Sequence, residues 1–343
     1  MIDQHTNFFK YVDNFAKTAH IPSIPIFESK LEYIPEITIA IPTYKRADLL
    51  KDAIDSAINQ VYYSNYDIIV VDNNPERGCE TEKLMMSYNN PKISYYKNAD
   101  NLGMAGNWNR LFTLAKGRYV VMLHDDDMLL STFLTECISL ACKKNADLIK
   151  PLAFDEDQKN TDCGLQDDIK QCRIKRVFDI DNIHGNALGA PTGCLIKKDC
   201  VFKLGGFNQD YYPTHDFCFM VYFSKHFRSF RFYKKLYIYR KEVSTSANKT
   251  ILDNFIYNDF YLYTQLLNKY HIPKTLIKKY LSYRFNKTIE SNRIYWNMPD
   301  YNFDITQLEL RPNDKGLGNI VSKLLRLYIM LIVFYLKIFH NKL

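Results

Sequence analysis

Arg118-Tyr119-Val120-Val121-Met122-Leu123-His124-Asp125-Asp126-Asp127 is an apolar run of strand length that ends in three consecutive carboxylates. Like charges at that spacing repel, and buried carboxylates are unfavourable unless a cation or hydrogen-bond donors compensate them. Open α/β sheets bind ligands at the carboxyl ends of their strands, so a triplet placed there points to a divalent cation carrying a phosphorylated ligand. An acidic loop that merely follows a strand is the competing reading, and the neighbouring sequence decides between them.

Working outward, the pattern alternates between strand and helix. Ile37–Ile41 reads as a buried strand closed by Pro42, and Leu49, Leu50, Ala53, Ile54, Ala57 and Ile58 give the following helix an apolar face. Asp67–Asp72 is a second strand, followed by a weaker helix over 79–89, and Ile93–Tyr96 is a third. A helix from about Met104 to Ala115 leads into the acidic strand; a helix near 131–144 and a strand at 147–149 come after it. This β-α-β-α order implies an α/β, doubly wound, mostly parallel sheet with right-handed crossovers. The stretch 155–190 reads as loop-rich. Gly193–Ile196, a short helix ending at Gly205-Gly206, an apolar helix Phe217–Phe227 and strand character in Phe230–Tyr239 follow. Beyond Lys249 the pattern is helical.

The chain has 343 residues and a net charge of +7, enough for one large domain and an appendage. The mild positive excess fits an anionic ligand or membrane surface, whereas dispersed basic residues without a known module argue against nucleic acid. Eight cysteines show neither a CxxC pair nor zinc spacing and read as free, mostly buried thiols. Met1–Thr18 is polar and has no signal-peptide core, so the expectation is a cytoplasmic protein. Residues 1–35 read as an extension: Phe8, Tyr11, Val12 and Phe15 have helical spacing, and Pro22, Pro25 and Pro35 punctuate a linker. Residues 36–250 then form the main domain, and 251–343 a helical C-terminal region. Leu324–Phe339 is almost wholly apolar, broken by Arg326 and Lys337, and its charge-free centre is far shorter than the ~20 residues of a spanning helix. It suits an amphipathic helix at the surface of an anionic bilayer, the alternative being a terminal helix packed on the domain.

Four motifs in order carry a resemblance. They are Ile39-Ala40-Ile41-Pro42-Thr43-Tyr44-Lys45-Arg46, Ile69-Val70-Val71-Asp72-Asn73-Asn74, Asn101-Leu102-Gly103 with Gly106-Asn107, and the acidic triplet. Over roughly residues 36–240 the chain resembles glycosyltransferase family 2, with its GT-A fold. The resemblance implies that Pro42, Thr43, Tyr44 and Arg46 hold the nucleoside of a sugar nucleotide, with Asp72 on its base and Asn101, Gly103 and Asn107 in the donor site. It implies Asp126 as the direct ligand of Mn²⁺ or Mg²⁺, with Asp127 on the metal and Asp125 on ribose or waters. His124 stands where many members carry the first Asp of Asp-x-Asp, which leaves the ligand register open.

Tyr211-Tyr212-Pro213-Thr214-His215-Asp216-Phe217, after Gly205-Gly206-Phe207, is similar to the family's Gly-Gly-Phe…Glu-Asp region, with His215 in place of Glu. The base carried over is Asp216, whose helix N-terminal position would keep it ionised; a simple helix cap is the plainer alternative. Arg240 resembles a basic segment that clamps the pyrophosphate, and Trp108 and Asn109 read as packing residues. The implied activity is inverting transfer of one sugar, from a UDP-hexose or UDP-N-acetylhexosamine, to a hydroxyl. The implied acceptor is a lipid-linked oligosaccharide of surface polysaccharide, O-antigen or capsule, at the inner face of the cell membrane. A sugar nucleotidyltransferase would carry a Gly-rich loop where Pro42–Arg46 stands. A non-catalytic sugar-nucleotide-binding scaffold is the other alternative.

Overall fold

The computed structural model describes residues 2–3, 5–155, 173–240 and 248–310, with 320, 323–325, 327–328, 330–331 and 335. The chain runs through β1 (Ser23–Phe27), β2 (Ile37–Thr43), α1 (Ala47–Ile58), β3 (Tyr66–Asp72), α2 (Glu80–Met86), β4 (Ile93–Asn98) and α3 (Gly103–Leu114). There follow β5 (Tyr119–Met122), β6 (Met128–Leu129), α4 (Phe133–Lys144), β7 (Leu148–Asp155), β8 (Ile174–Val177), β9 (Cys194–Lys197) and α5 (Lys198–Lys203). The last elements are α6 (His215–His226), β10 (Ser229–Tyr239), α7 (Lys249–Lys269) and α8 (Lys274–Tyr295).

The described strands form one sheet in the order β1-β4-β3-β2-β5-β9-β7-β10-β6, with β8 paired to β10. Strands β4, β3, β2 and β5 are mutually parallel, as are β7 and β10; β9 sits antiparallel between β5 and β7. All residues of β2 and β3 are buried, because helices cover both faces. Alternate side chains feed two cores. Ile37, Ile39, Ile68 and Val70 pack with α1 and α4, whereas Ala40, Ile69 and Val71 pack with α3, α5 and α6. A third core joins α7 and α8 to Phe217 and Val221 of α6 and to Phe8 near the N-terminus.

Two N-terminal expectations are corrected. No α-helix forms over the described residues 5–15, because Asn7 and Asp13 accept from the amides of Phe9 and Phe15 at 3.0 and 3.1 Å, turning the backbone. Part of the supposed linker is strand β1, which pairs antiparallel with β4 at the sheet edge, where a proline is tolerated. The free cysteines among the described residues include buried Cys137, Cys194, Cys200 and Cys218 and exposed Cys142. Residues 156–172, most of the expected loop-rich stretch, lie outside the described residues; beyond them that stretch contains β8 and a 3₁₀ segment Asp179–His184.

Gly205 locks the N-terminal segment to the domain. It has φ +79°, a Cβ there would lie 1.9 Å from the Val12 carbonyl oxygen, and its own carbonyl accepts from the Asn14 amide at 2.9 Å. Gly205→Ala combines left-handed strain with a backbone clash and is expected to destabilise the fold by about 2–4 kcal/mol. Thermal unfolding checks this; an unchanged midpoint would mean that the N-terminal segment is not held there.

Candidate active site

The carboxyl ends of β2 and β5 are adjacent because the strands are parallel neighbours. Pro42 and Thr43 end β2, Lys45 takes a left-handed turn at φ 56°, and Arg46 begins α1. This turn points back at the acidic run after β5. Thr43 Oγ1 donates to Asp125 Oδ2 at 2.8 Å, and Arg46 Nη1 donates to Asp126 Oδ2 at 2.8 Å and Asp125 Oδ1 at 3.3 Å. A single guanidinium therefore braces two neighbouring carboxylates.

These groups line a cavity of about 420 Å³. Pro42, Thr43, Tyr44, Arg46, Asp125 and Asp126 form one side. Asn101, Gly103, Asn107 and Trp108, at the start of α3, form another; Asn73 donates to Asn101 Oδ1 at 2.6 Å, and Asn107 donates to the Val71 carbonyl at 3.2 Å. Across from the acidic run, His215 and Asp216 enter from the first turn of α6, preceded by a cis Tyr212-Pro213 bond. Asn258 of α7 holds this loop by donating to the Tyr212 carbonyl at 3.2 Å, and Ile251 and Phe255 of the same helix complete the wall.

Burial pushes the Asp216 carboxyl up to about 6, although the amides of Phe217 and Asp216 and the buried Lys150 ammonium pull it down. Desolvation thus outweighs the helix N-terminus, contrary to a carboxylate held firmly ionised. The acidic run is crowded in the same sense. Asp125 is raised to about 6 and Asp127 to about 7, each by burial first and by the Asp126 charge second. Burial lowers His124 to about 4, so its imidazole is neutral at neutral pH. His124, Asp126 and Asp127 can each offer one ligand atom, all within 4.8 Å of one another.

Three expected ligand contacts are not cavity-lining. Asp72 is fully buried and its oxygens accept from Lys97 Nζ at 2.7 Å, Tyr95 Oη at 2.9 Å and the Asn74 amide at 2.9 Å. Asp127 is also fully buried, accepting from Thr192 Oγ1 at 2.7 Å and the Arg240 amide at 3.1 Å. The Arg240 guanidinium turns inward to Asp52 at 2.8 Å, to the Leu49 carbonyl at 3.0 Å and to the Asp126 carbonyl. These residues brace the site from behind. Lys241–Ser246, the rest of the expected clamp, lie outside the described residues. Conversely, Trp108 lines the cavity as well as packing, whereas Asn109 is structural, exchanging hydrogen bonds of 2.8 Å with the Phe207 backbone in both directions. His215, Ile251 and Phe255 had no assigned role in the sequence; only the adjacency of His215 to Asp216 could have flagged one of them.

The model of glycosyl transferase family 2 matches residues 38–212, more than half of the chain. The chain belongs to that family. It is 30% identical over 193 residues to an uncharacterized glycosyltransferase of Rickettsia typhi, covering 54% of this chain and 57% of the relative. It is 32% identical over 109 residues to the GalNAc(5)-diNAcBac-PP-undecaprenol beta-1,3-glucosyltransferase of Campylobacter jejuni, covering 32% of this chain and 35% of that enzyme. The chain thus spans less than two thirds of either relative's length. Among solved structures, S. aureus TarS 1-349 in complex with UDP-GlcNAc is similar with a TM-score of 0.57 at 15% identity, over 79% of this chain and 77% of that one. That likeness, with the mixed and mostly parallel sheet, shows the GT-A fold.

Proposed function

We propose that this chain is an inverting glycosyltransferase that moves one sugar from a nucleoside diphosphate donor to an acceptor hydroxyl. The observation that carries the reading is that Asp126, at the end of β5, and Asp216, at the start of α6, line one cavity together with Thr43 and Arg46. The first group faces a diphosphate and the second an acceptor. The Asp216 carboxylate takes the proton of the acceptor hydroxyl as that oxygen bonds to the anomeric carbon. The bond from that carbon to the diphosphate oxygen breaks in the same displacement, which inverts the configuration. Arg46 offers a fixed cation for the phosphate oxygens.

The residues present fit a divalent cation. Asp126 supplies a cavity-facing carboxylate and His124 a neutral imidazole whose Nε2 is buried without a partner among the described residues. Mn²⁺ or Mg²⁺ held by Asp126, with His124 beside it, would neutralise charge on the diphosphate as it departs. Asp127 is the weaker of the two expected ligands, since both its oxygens already accept hydrogen bonds.

A UDP-hexose or UDP-N-acetylhexosamine is the donor we favour, supported by the TarS likeness in fold and by that protein's UDP-GlcNAc complex. A screen for slow nucleoside diphosphate release across nucleotide sugars tests this; release from none of them would contradict it.

A lipid-linked saccharide is the acceptor class we favour, supported by the undecaprenol-linked substrate in the Campylobacter relative's name. No helix among the described residues is long and apolar enough to cross a membrane. Near the C-terminus, however, Leu325 is buried in the helical core while Leu324, Leu327, Met330 and Leu331 are each at least 56% exposed. That one-sided exposure supports a helix docked to the protein by one face and to the cytoplasmic membrane surface by the other. Removing residues from Gly318 onward is expected to release the protein from anionic liposomes while a soluble acceptor analogue is still glycosylated. Unfolding of the truncated protein, with no liposome binding by the full chain, would contradict the membrane role.

A further inference from the structure

Two imidazoles of the cavity wall carry buried nitrogens without partners among the described residues: Nε2 of His124, and both Nδ1 and Nε2 of His215. Buried polar atoms nearly always find partners in folded proteins, so a cavity-wall histidine with neither nitrogen engaged among the described residues is placed to take one from a ligand. His215 is 2% exposed, with ring centroids 4.9 Å from Trp108 and 5.8 Å from Tyr212, and Trp108 stacks on His124 at 5.2 Å. The rings form a continuous wall. It begins at His124, next to the acidic run, and ends at His215, next to Asp216. A nucleotide sugar with its diphosphate at Asp126, and its anomeric carbon open to an acceptor at Asp216, would lay its sugar along this wall.

We propose that His215 is a sugar-specificity residue, its imidazole hydrogen-bonding a ring hydroxyl of the donor sugar. The assignment rests on the transferase reading above. A hydroxyl donates and accepts, and a neutral imidazole offers one N–H and one lone pair, so the two match without charge. Burial, reinforced by His124, holds His215 neutral by lowering its pKa to about 3. Tyr212, 41% exposed, stacks on His215 and lines the same cavity. Discrimination then follows from burial, because a sugar lacking the matching hydroxyl leaves the nitrogen unpaired in a dry site.

Calorimetric titration of the full chain with Mn²⁺ present tests this. UDP, GDP and dTDP are each titrated beside their hexose conjugates, using wild type, His215→Phe and His215→Gln. His215→Phe keeps the ring and removes its hydrogen bonds; it is expected to weaken the preferred nucleotide sugar by about tenfold or more. Affinity for the bare diphosphate should stay within about twofold, which also reports an intact fold, and His215→Gln should recover part of the loss. Equal losses for the diphosphate and its sugar conjugate, or no loss in either variant, would overturn the assignment and leave the transferase reading standing. Wild-type protein that binds none of these molecules would overturn the donor reading and the assignment with it.

Discussion

Asp216→Asn is expected to lower turnover by about 10²–10⁴-fold, the usual contribution of a general base, while donor binding stays nearly intact. The substitution keeps the shape of the side chain and its place in the first turn of α6, so the loss isolates proton transfer from packing. A pH profile provides the companion test. The base must be ionised to accept a proton, and its carboxyl is raised to about 6. Wild-type kcat/KM should therefore fall at least about tenfold per unit as pH drops below 6. In the residual activity of Asp216→Asn the Asp216 part of this acid limb should be absent, leaving only the contribution of Asp125 and Asp127, raised to about 6 and about 7. Near-normal turnover in the variant would remove Asp216 from the chemistry and leave it as a helix cap.

Asp126→Ala should abolish metal-dependent binding of UDP. Asp126 is the carboxylate of the acidic run that combines a cavity-facing position with a single side-chain donor among the described residues, Arg46 at 2.8 Å. Its removal takes away the ligand best placed for a divalent cation and leaves the diphosphate charge to Arg46 alone. Titration of UDP with and without Mn²⁺ reads the effect directly. Affinity that responds neither to the metal nor to the substitution would make the triplet a structural element.

The strands of this fold were legible because burial on both faces leaves continuous apolar runs, as in Ile37–Ile41 and Ile68–Val71, with a loop residue at each carboxyl end. The acidic triplet was legible for the same reason, at the end of such a run, whereas Thr43 and Arg46 were marked by the motif resemblance after β2. What a linear pattern does not encode is the direction in which a side chain turns once its strand ends. Asp126 faces the cavity while Asp127, one residue later, faces the protein, and Asp72 meets a buried lysine supplied by β4. The C-terminal wall was invisible for another reason. Ile251 and Phe255 are ordinary apolar residues on a helix, and only the packing of α7 against the loop before α6 gives them a cavity to face. The N-terminal segment misled through spacing alone, because local Asx turns compete with a helix where Asn7 and Asp13 sit among the apolar residues.

A single displacement at the anomeric carbon, between Asp126 and Asp216, fixes the stereochemistry of the first-formed product. ¹H NMR of early turnover, with an α-linked nucleotide sugar that the enzyme accepts, resolves the anomeric proton of the transferred sugar before it can equilibrate. A β-configured product should appear in step with released nucleoside diphosphate. An α-configured product would contradict a single displacement, because retention requires a second displacement or a different arrangement of groups from the single base assigned to Asp216.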